Sequence, residues 1–190
     1  MALALPIDPS ALTLLEESAL ARLLGMLLDQ QITMEKAFSS PYVLTQRLGH
    51  QPTATELAEF DPEELLAIFA KPPVLHRFPK VFAARTQDMC RVLVDRYGDD
   101  VARLWSEAKS GTALLARVRE LPGFGEQKAK IFVALLGKQY GVQPRGWRQA
   151  AGVYGDKKFR SVADVVDADA LAKVREYKKA VKAEARAGGD

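Results

Sequence analysis

The sequence predicts an all-α fold, a bundle of eight or more short helices without a sheet. Strand signals are nearly absent, because there is no alternating run of Val, Ile and Thr and no Asn-Gly or Asp-Gly pair to mark a hairpin turn. Apolar residues instead recur at spacings of three and four between residues that start and stop helices. The 190-residue chain is 48% hydrophobic and 27% charged, which is typical of a folded globular protein rather than a disordered one.

Three helices are expected in the first half of the chain. The first covers 16–28, where one wide apolar stripe is formed by Leu20, Leu23, Leu24, Leu27 and Leu28. The second covers about 33–47 and ends at Gly49. Asp61 and Pro62 start the third, because aspartate accepts bonds from free N–H groups and proline suits the first helical position.

Helix signals continue through the second half. A long helix is expected over 79–97, with Gly98 at its end. Asp99 or Asp100 is expected to cap a short helix after it. The remaining predicted helices are 112–120 and 125–140, which form a hairpin at about 113–140, then 147–151 and a last helix at about 167–187.

The net charge of +3 is spread unevenly along the chain. Residues 173–186 contain six basic and two acidic residues, so the rest of the chain is close to neutral. Leu171, Val174 and Val181 share one side of this last helix, and the sequence leaves open whether the helix packs on the core or lies along DNA. A basic face of this kind attracts phosphate groups, although solvated terminal helices often have the same composition.

Several classes of protein are excluded by composition. No apolar run approaches the roughly 20 residues that span a bilayer, and residues 1–9 lack the features of a secretory signal, so we expect a cytoplasmic protein with no membrane partner. The single cysteine, Cys90, excludes an internal disulfide and any zinc or iron–sulfur site built on several thiolates. His50 and His76 stand far apart, so we expect no metal and no cofactor.

The most informative segment is 121–130, Leu-Pro-Gly-Phe-Gly-Glu-Gln-Lys-Ala-Lys, between two predicted helices. Gly123 and Gly125 permit positive φ and a close approach of the backbone to a ligand. The first N–H groups of the second helix have no partner inside it and lie at the positive end of its dipole, where a phosphate oxygen binds well. Phe124 is expected to insert into the core. The alternative interpretation is an ordinary helix–helix turn.

This segment resembles the hairpin of the helix-hairpin-helix (HhH-GPD) superfamily of DNA glycosylases. Residues 24–32 are similar to the early helix of that family and its glutamine-bearing turn, and 79–98 to the long helix before its hairpin. The likeness covers roughly residues 20–147. It implies that 1–190 is a single HhH-GPD-like domain, a two-lobed helical bundle in which the hairpin binds the DNA backbone beside a cleft.

The resemblance implies a base-excision repair protein that flips a damaged or mismatched base out of double-stranded DNA and hydrolyses its N-glycosidic bond. Such a protein is expected to be a monomer associated with the nucleoid and to contain no iron–sulfur cluster, although a monovalent cation can bind at the hairpin. Gln30 and Gln31 match the turn that fills the space left by the flipped base. The implied DNA-binding residues are Gly123, Phe124, Gly125, Gln127, Lys128, Lys130, Gln30, Gln31, Arg145 and Arg148.

The sequence departs from the family at two catalytic positions. Gln127 occupies the position at which lyase members carry a Schiff-base lysine, so base removal without strand cutting is expected. The usual catalytic aspartate is missing, because 143–148 contains no acid. Asp29 is the first candidate to replace it, Asp156 the second and Glu35 a weaker third.

Aromatic residues near the missing aspartate are candidates for a base pocket. Trp147 occupies that position, and its indole is suited to stack on an unstacked base or else to anchor the following short helix in the core. Tyr154 is a weaker candidate for the same role. The missing aspartate leaves open a second function, a non-catalytic DNA-binding protein that retains the fold. A third and more remote possibility is a helical bundle that binds other proteins.

Overall fold

The structure, a computed structural model, describes residues 3–187. The all-α prediction is confirmed, because the described residues form eleven α-helices and no strand. The helices are α1 (Pro9–Glu17), α2 (Ala19–Leu28), α3 (Met34–Leu48), α4 (Ala54–Glu59), α5 (Pro62–Ala70), α6 (Pro79–Tyr97), α7 (Arg103–Ser106), α8 (Gly111–Arg119), α9 (Glu126–Gln139), α10 (Trp147–Ala150) and α11 (Ala168–Ala187). Two short 3-10 turns, Gly152–Gly155 and Val162–Asp164, lie between α10 and α11.

Local capping chemistry sets most helix boundaries. The carboxylate of Asp61 accepts bonds from the N–H groups of Glu63 at 2.9 Å and Glu64 at 3.0 Å, and Pro62 is the first residue of α5. At the C-terminal end of α6, Gly98 has a φ of 63°, a conformation that favours glycine. Both boundaries were predicted correctly, since each depends on residues adjacent in the chain.

The predicted helix over 16–28 is wrong, because two helices meet there. The N–H of Ser18 donates to Leu14 O at 2.8 Å and ends α1, while its hydroxyl accepts from Ala21 N at 3.2 Å and caps α2. The sequence analysis also missed α4, whose N-terminus is capped by Thr53 through a 3.0 Å bond from Glu56 N.

Neither Asp99 nor Asp100 caps α7, which is a second correction. Asp99 instead accepts bonds from the N–H of Thr55 at 2.8 Å and from its hydroxyl at 3.1 Å. These bonds join the end of α6 to the start of α4, and α4 packs against α6 along its length. Asp99 therefore accepts hydrogen bonds from the first turn of α4, from a residue 44 positions away in sequence.

The helix pairs that pack most closely fall into two groups. One group contains α1 to α6, and the other contains α7 to α11 with the two 3-10 turns. A continuous apolar core runs through both groups and includes the middle of α9, where Phe132, Val133, Leu135 and Leu136 are fully buried. The chain before α1 also joins them, since Ala4 N donates to Val165 O at 3.0 Å.

Trp147 is a core residue that holds α8, α9 and α10 together. Only 5% of the residue is exposed. A Cβ on Gly137 would lie 2.4 Å from its Cε3 atom, and a Cβ on Gly111 would lie 2.4 Å from its Cα. Both glycines are therefore required by the packing of the indole and its backbone, so Trp147 is not an open stacking platform for a base.

The last helix packs on the body only through its first turns. Ala170, Leu171 and Val174 are buried, whereas the described side chains from 175 to 186 are exposed apart from the half-buried Tyr177. Val181 is 43% exposed, because the helix has left the body of the protein by that point. None of the helices in the described part of the chain is long and apolar enough to cross a membrane.

The contact between Gly137 and Trp147 gives a test of this packing. An exposed helical Gly→Ala change stabilises a protein by up to about 1 kcal/mol. We expect Gly137→Ala instead to lower the free energy of unfolding by about 1–3 kcal/mol, because the new methyl group meets the indole in a full core. Urea denaturation measures the difference, and a stabilised variant would contradict the packing.

Candidate functional site

A cleft of about 760 Å3 lies where the end of α2, the middle of α6, the α8–α9 turn and α11 meet. Several residues that the sequence analysis selected line this one cleft. They are Asp29, Gln30, Gly123, Phe124, Gly125, Gln127 and Lys128. The two segments, about 95 residues apart in the chain, are brought together by the packing of the α8–α9 turn on α2.

The first glycine of the turn is required by the fold. Gly123 has a φ of 87°, which favours glycine, and a Cβ there would lie 2.4 Å from Cδ1 of Leu27 on α2. Phe124 next to it is 3% exposed and makes an edge contact with Phe132, with ring centroids 5.8 Å apart. The expected insertion of Phe124 into the core is confirmed, and the turn is held directly on the end of α2.

The second glycine has no such role in the fold. Gly125 has an ordinary φ of −68°, and a Cβ there would meet nothing within 4 Å. It is the N-cap of α9, and no side chain caps that helix. The first N–H with a backbone partner is that of Ala129, which donates to Gly125 O at 2.9 Å. The N–H groups of residues 126–128 therefore have no acceptor among the described residues and lie beside open space.

The charged side chains around this turn are mostly paired. The Lys130 ammonium lies 2.7 Å from the carboxylate of Glu126, and the Arg119 guanidinium lies 4.0 Å from it. Lys130 therefore adds less positive charge at the turn than the sequence suggested. Glu126 is stabilised by the helix dipole in this position, and it is the one negative side chain at the start of α9.

Lys128 points into the cleft rather than outward. Its ammonium donates to Leu27 O at 2.7 Å, which ties α9 to the last turn of α2. Burial lowers the pKa of Lys128 to about 8, and the negative charge of Asp29 opposes that effect. Lys128 is therefore a half-buried cation at the floor of the cleft.

Asp29 is the buried carboxylate of this cleft. It ends α2, with its N–H donating to Gly25 O at 3.1 Å, and 9% of its side chain is exposed. Burial raises the pKa of Asp29, while the charges of Lys178, at 3.8 Å, and Lys128 lower it. A carboxylate held in this way can take up a proton or face a developing positive charge, which is typical of acid–base sites.

The backbone of Gln30 is held by His76, in a contact that no sequence pattern indicated. His76 is fully buried, and its Nε2 donates to Gln30 O at 2.9 Å. The N–H of Phe78 donates to Nδ1 of His76 at 3.1 Å, which fixes the proton on Nε2. Since 46 residues separate His76 from Gln30, only the folded structure reveals this bond. Gln31 is exposed, with a φ of 57°.

The other candidate acids lie outside the cleft. Asp156 is exposed at another cleft of about 390 Å3, where Arg148 is also found, and its carboxylate lies 3.7 Å from the guanidinium of Arg160. Glu35 on α3 pairs with Arg175 and does not line the main cleft. The structure therefore brings only the first of the three candidate acids to the α8–α9 turn.

The remaining predicted residues lie around α10 and the edge of the cleft. Arg145 is exposed, and the guanidinium of Arg148 lies 4.5 Å from the centre of the Trp147 ring. Tyr154 is half-buried, and its hydroxyl accepts a 2.8 Å bond from Nε2 of Gln127. Tyr154 therefore reaches the cleft indirectly, through Gln127.

No metal cluster is present in residues 3–187, since no group of three or more His, Cys, Asp or Glu side chains is placed to hold an ion. Cys90 is buried, and burial raises the pKa of its thiol to about 12. Comparison of the chain with models of protein families, with characterised proteins and with solved structures finds no match.

The burial of Asp29 has a consequence for stability. Because its folded pKa is raised above the value near 3.8 of the unfolded chain, ionising Asp29 destabilises the fold as pH rises through the folded pKa. We therefore expect Asp29→Asn to raise the free energy of unfolding at pH 7 and to change it less near pH 3.5. Urea denaturation across this range measures the effect.

The matched control is Asp156→Asn, since Asp156 is exposed and should contribute little at any pH. A destabilised Asp29→Asn variant at pH 7 would show that the carboxylate supports the fold.

Proposed function

We propose that this protein binds double-stranded DNA through the α8–α9 turn and removes a damaged or mismatched base by hydrolysis of its N-glycosidic bond. The observation that carries the proposal is the meeting of two features in one cleft. The uncapped N-terminus of α9 opens on it beside Gly125, and the buried carboxylate of Asp29 lies within it. A phosphate-binding backbone next to a carboxylate is what base excision requires.

The phosphate is held by backbone rather than by side chains. The N–H groups of residues 126–128 have no acceptor among the described residues. They lie at the N-terminus of the 14-residue helix α9, which is the positive end of its dipole. The absence of a side chain at Gly125 leaves the approach to them open. Contacts of this kind position the protein on a duplex without reading its sequence.

The sugar and the base are placed in the cleft. Its volume of about 760 Å3 is within the range of small-molecule pockets, so it can take up one flipped nucleotide. Breaking the glycosidic bond develops positive charge on the sugar. The carboxylate of Asp29 stabilises that charge and can accept a proton from the attacking water.

Gln30 is the residue that fills the space of the flipped base. Its side chain lines the cleft, with Oε1 3.5 Å from a guanidinium nitrogen of Arg85, and its carbonyl is fixed by His76. The bond from His76 fixes the backbone of Gln30 beside the cleft. A backbone fixed in advance loses less entropy when the side chain enters the duplex.

The reaction proposed is hydrolysis without strand cutting. Gln127, at the position where lyases carry lysine, has no nucleophilic atom and is bound to Tyr154. The amino group of Lys128 is engaged with Leu27 O instead of facing free space. The product is therefore an abasic site that breaks only on treatment with alkali.

The substitution Gly125→Ser tests whether the start of α9 binds phosphate, because it should weaken DNA binding without destabilising the fold. A serine N-cap accepts a bond from the free N–H groups of α9, so we expect the free energy of unfolding to stay equal or to rise by a few tenths of a kcal/mol. The same bond competes with the phosphate, so affinity for duplex DNA should fall about tenfold. Fluorescence anisotropy and urea denaturation measure the two effects.

Gly125→Ala is the control for bulk, since it adds a Cβ without an acceptor. It should bind DNA more tightly than Gly125→Ser. If Gly125→Ser bound DNA as tightly as the unchanged protein, the backbone N–H groups would not be the phosphate site.

The activity itself is tested by base release from duplexes that carry uracil, hypoxanthine, alkylated purines, oxidised bases or mismatched adenine. We expect cleavage after alkali with at least one of them, and a loss of about 100-fold or more in Asp29→Asn. Asp156→Asn should retain full activity. Cleavage without alkali would contradict the hydrolytic mechanism and implicate Lys128. If no base were released from any duplex, the proposed catalysis would be wrong and only the proposed DNA binding would remain.

A further inference from the structure

The last helix extends beyond the body of the protein as a charged segment that the proposed function does not use. We call residues 175–186 the basic arm. After the buried Val174, every described side chain of the arm is exposed except the half-buried Tyr177. At 1.5 Å per residue, the arm extends for about 18 Å. A helix of this length that buries almost nothing gains little from apolar packing, so most of its side chains are accessible to a partner outside the chain.

The basic residues of the arm are not scattered around the helix. At 100° per residue they fall within an arc of about 100°, and both acidic residues, Glu176 and Glu184, fall outside it. The arm therefore carries one continuous positive stripe, formed by Arg175, Lys178, Lys179, Lys182 and Arg186.

This stripe begins at the mouth of the main cleft. Lys178 lines the cleft and lies 3.8 Å from the carboxylate of Asp29. Arg175, one turn earlier, pairs with Glu35 on α3. These two ion pairs orient the positive stripe towards the side of the molecule on which the α8–α9 turn opens. The rest of the stripe continues from that point into solvent.

The chemistry of the stripe favours a nucleic acid over a lipid surface. Lys179 and Lys182 have no acidic partner among the described residues. Val181 is the only large apolar side chain exposed along the arm, so the arm lacks the apolar face with which a helix enters a membrane. Unpaired cations without an apolar face are suited to a dense array of phosphates.

We propose that the basic arm is a second DNA-contact surface, which binds the phosphates of the duplex flanking the nucleotide in the cleft. This inference rests on the proposed function, because it takes the cleft as the place where DNA lies. The arm adds affinity without sequence preference, since its contacts are with phosphates. It also lengthens the segment of duplex that the protein covers by up to about 18 Å.

The test is the salt dependence of binding to a duplex of 25 base pairs by the full chain. Each phosphate neutralised contributes about 0.9 to the slope of log affinity against log salt. We therefore expect Lys179→Gln with Lys182→Gln to reduce the steepness of this slope by about 2. The control is Lys173→Gln, on the opposite face of the same helix and paired with Asp169, which should leave the slope unchanged.

The possible outcomes separate this inference from the function on which it rests. If Gly125→Ser weakens binding while the arm variant keeps the original slope, the arm proposal is wrong and the α8–α9 turn remains the DNA site. If the unchanged protein shows no salt-dependent binding, both fail together. Binding to anionic phosphatidylserine vesicles that the arm variant loses, with an unchanged DNA slope, would also overturn the proposal.

Discussion

The contact between the α8–α9 turn and the last turn of α2 is the constraint on which the site depends. Gly123 lies against Leu27, where any side chain would meet Cδ1 at 2.4 Å, and the Lys128 ammonium donates to Leu27 O at 2.7 Å. This contact joins the two groups of helices at one edge. Because α2 ends here, Asp29 and Gln30 are placed opposite the N-terminus of α9, and the space between them is the cleft.

The same contact buries two charges at a cost in stability. The pKa of Asp29 is raised and that of Lys128 is lowered to about 8, in both cases chiefly by burial. Their mutual attraction reduces the cost without removing it. A fold optimised for stability alone would place apolar residues at such positions, and groups held at a cost of this kind are characteristic of sites where activity and stability oppose each other.

Sequence patterns predicted those features that depend on neighbours in the chain. The start of α5 at Asp61, the end of α6 at Gly98 and the insertion of Phe124 all follow from local spacing. Features that depend on distant partners were missed, since no spacing encodes them. Asp99 binds a helix 44 residues away, and His76 binds a carbonyl 46 residues away.

The features of the candidate site likewise fall into those that the sequence predicted and those that only the fold revealed. Resemblance to the hairpin of the glycosylases selected the α8–α9 turn, and resemblance to their early helix selected Asp29. The two lie together in the cleft. The direction of Lys128 and the burial of Trp147 depend on the packing of α9 against α2 and α10, so they could be known only from the fold.

A crystal structure of the protein bound to a duplex with a tetrahydrofuran abasic-site analogue would test the central claim most directly. The account predicts a phosphate oxygen within about 3 Å of the N–H groups of residues 126–128. It also predicts the analogue sugar in the cleft beside Asp29, with Gln30 in the space of the missing base. DNA bound on another face, with the start of α9 free of phosphate, would contradict it.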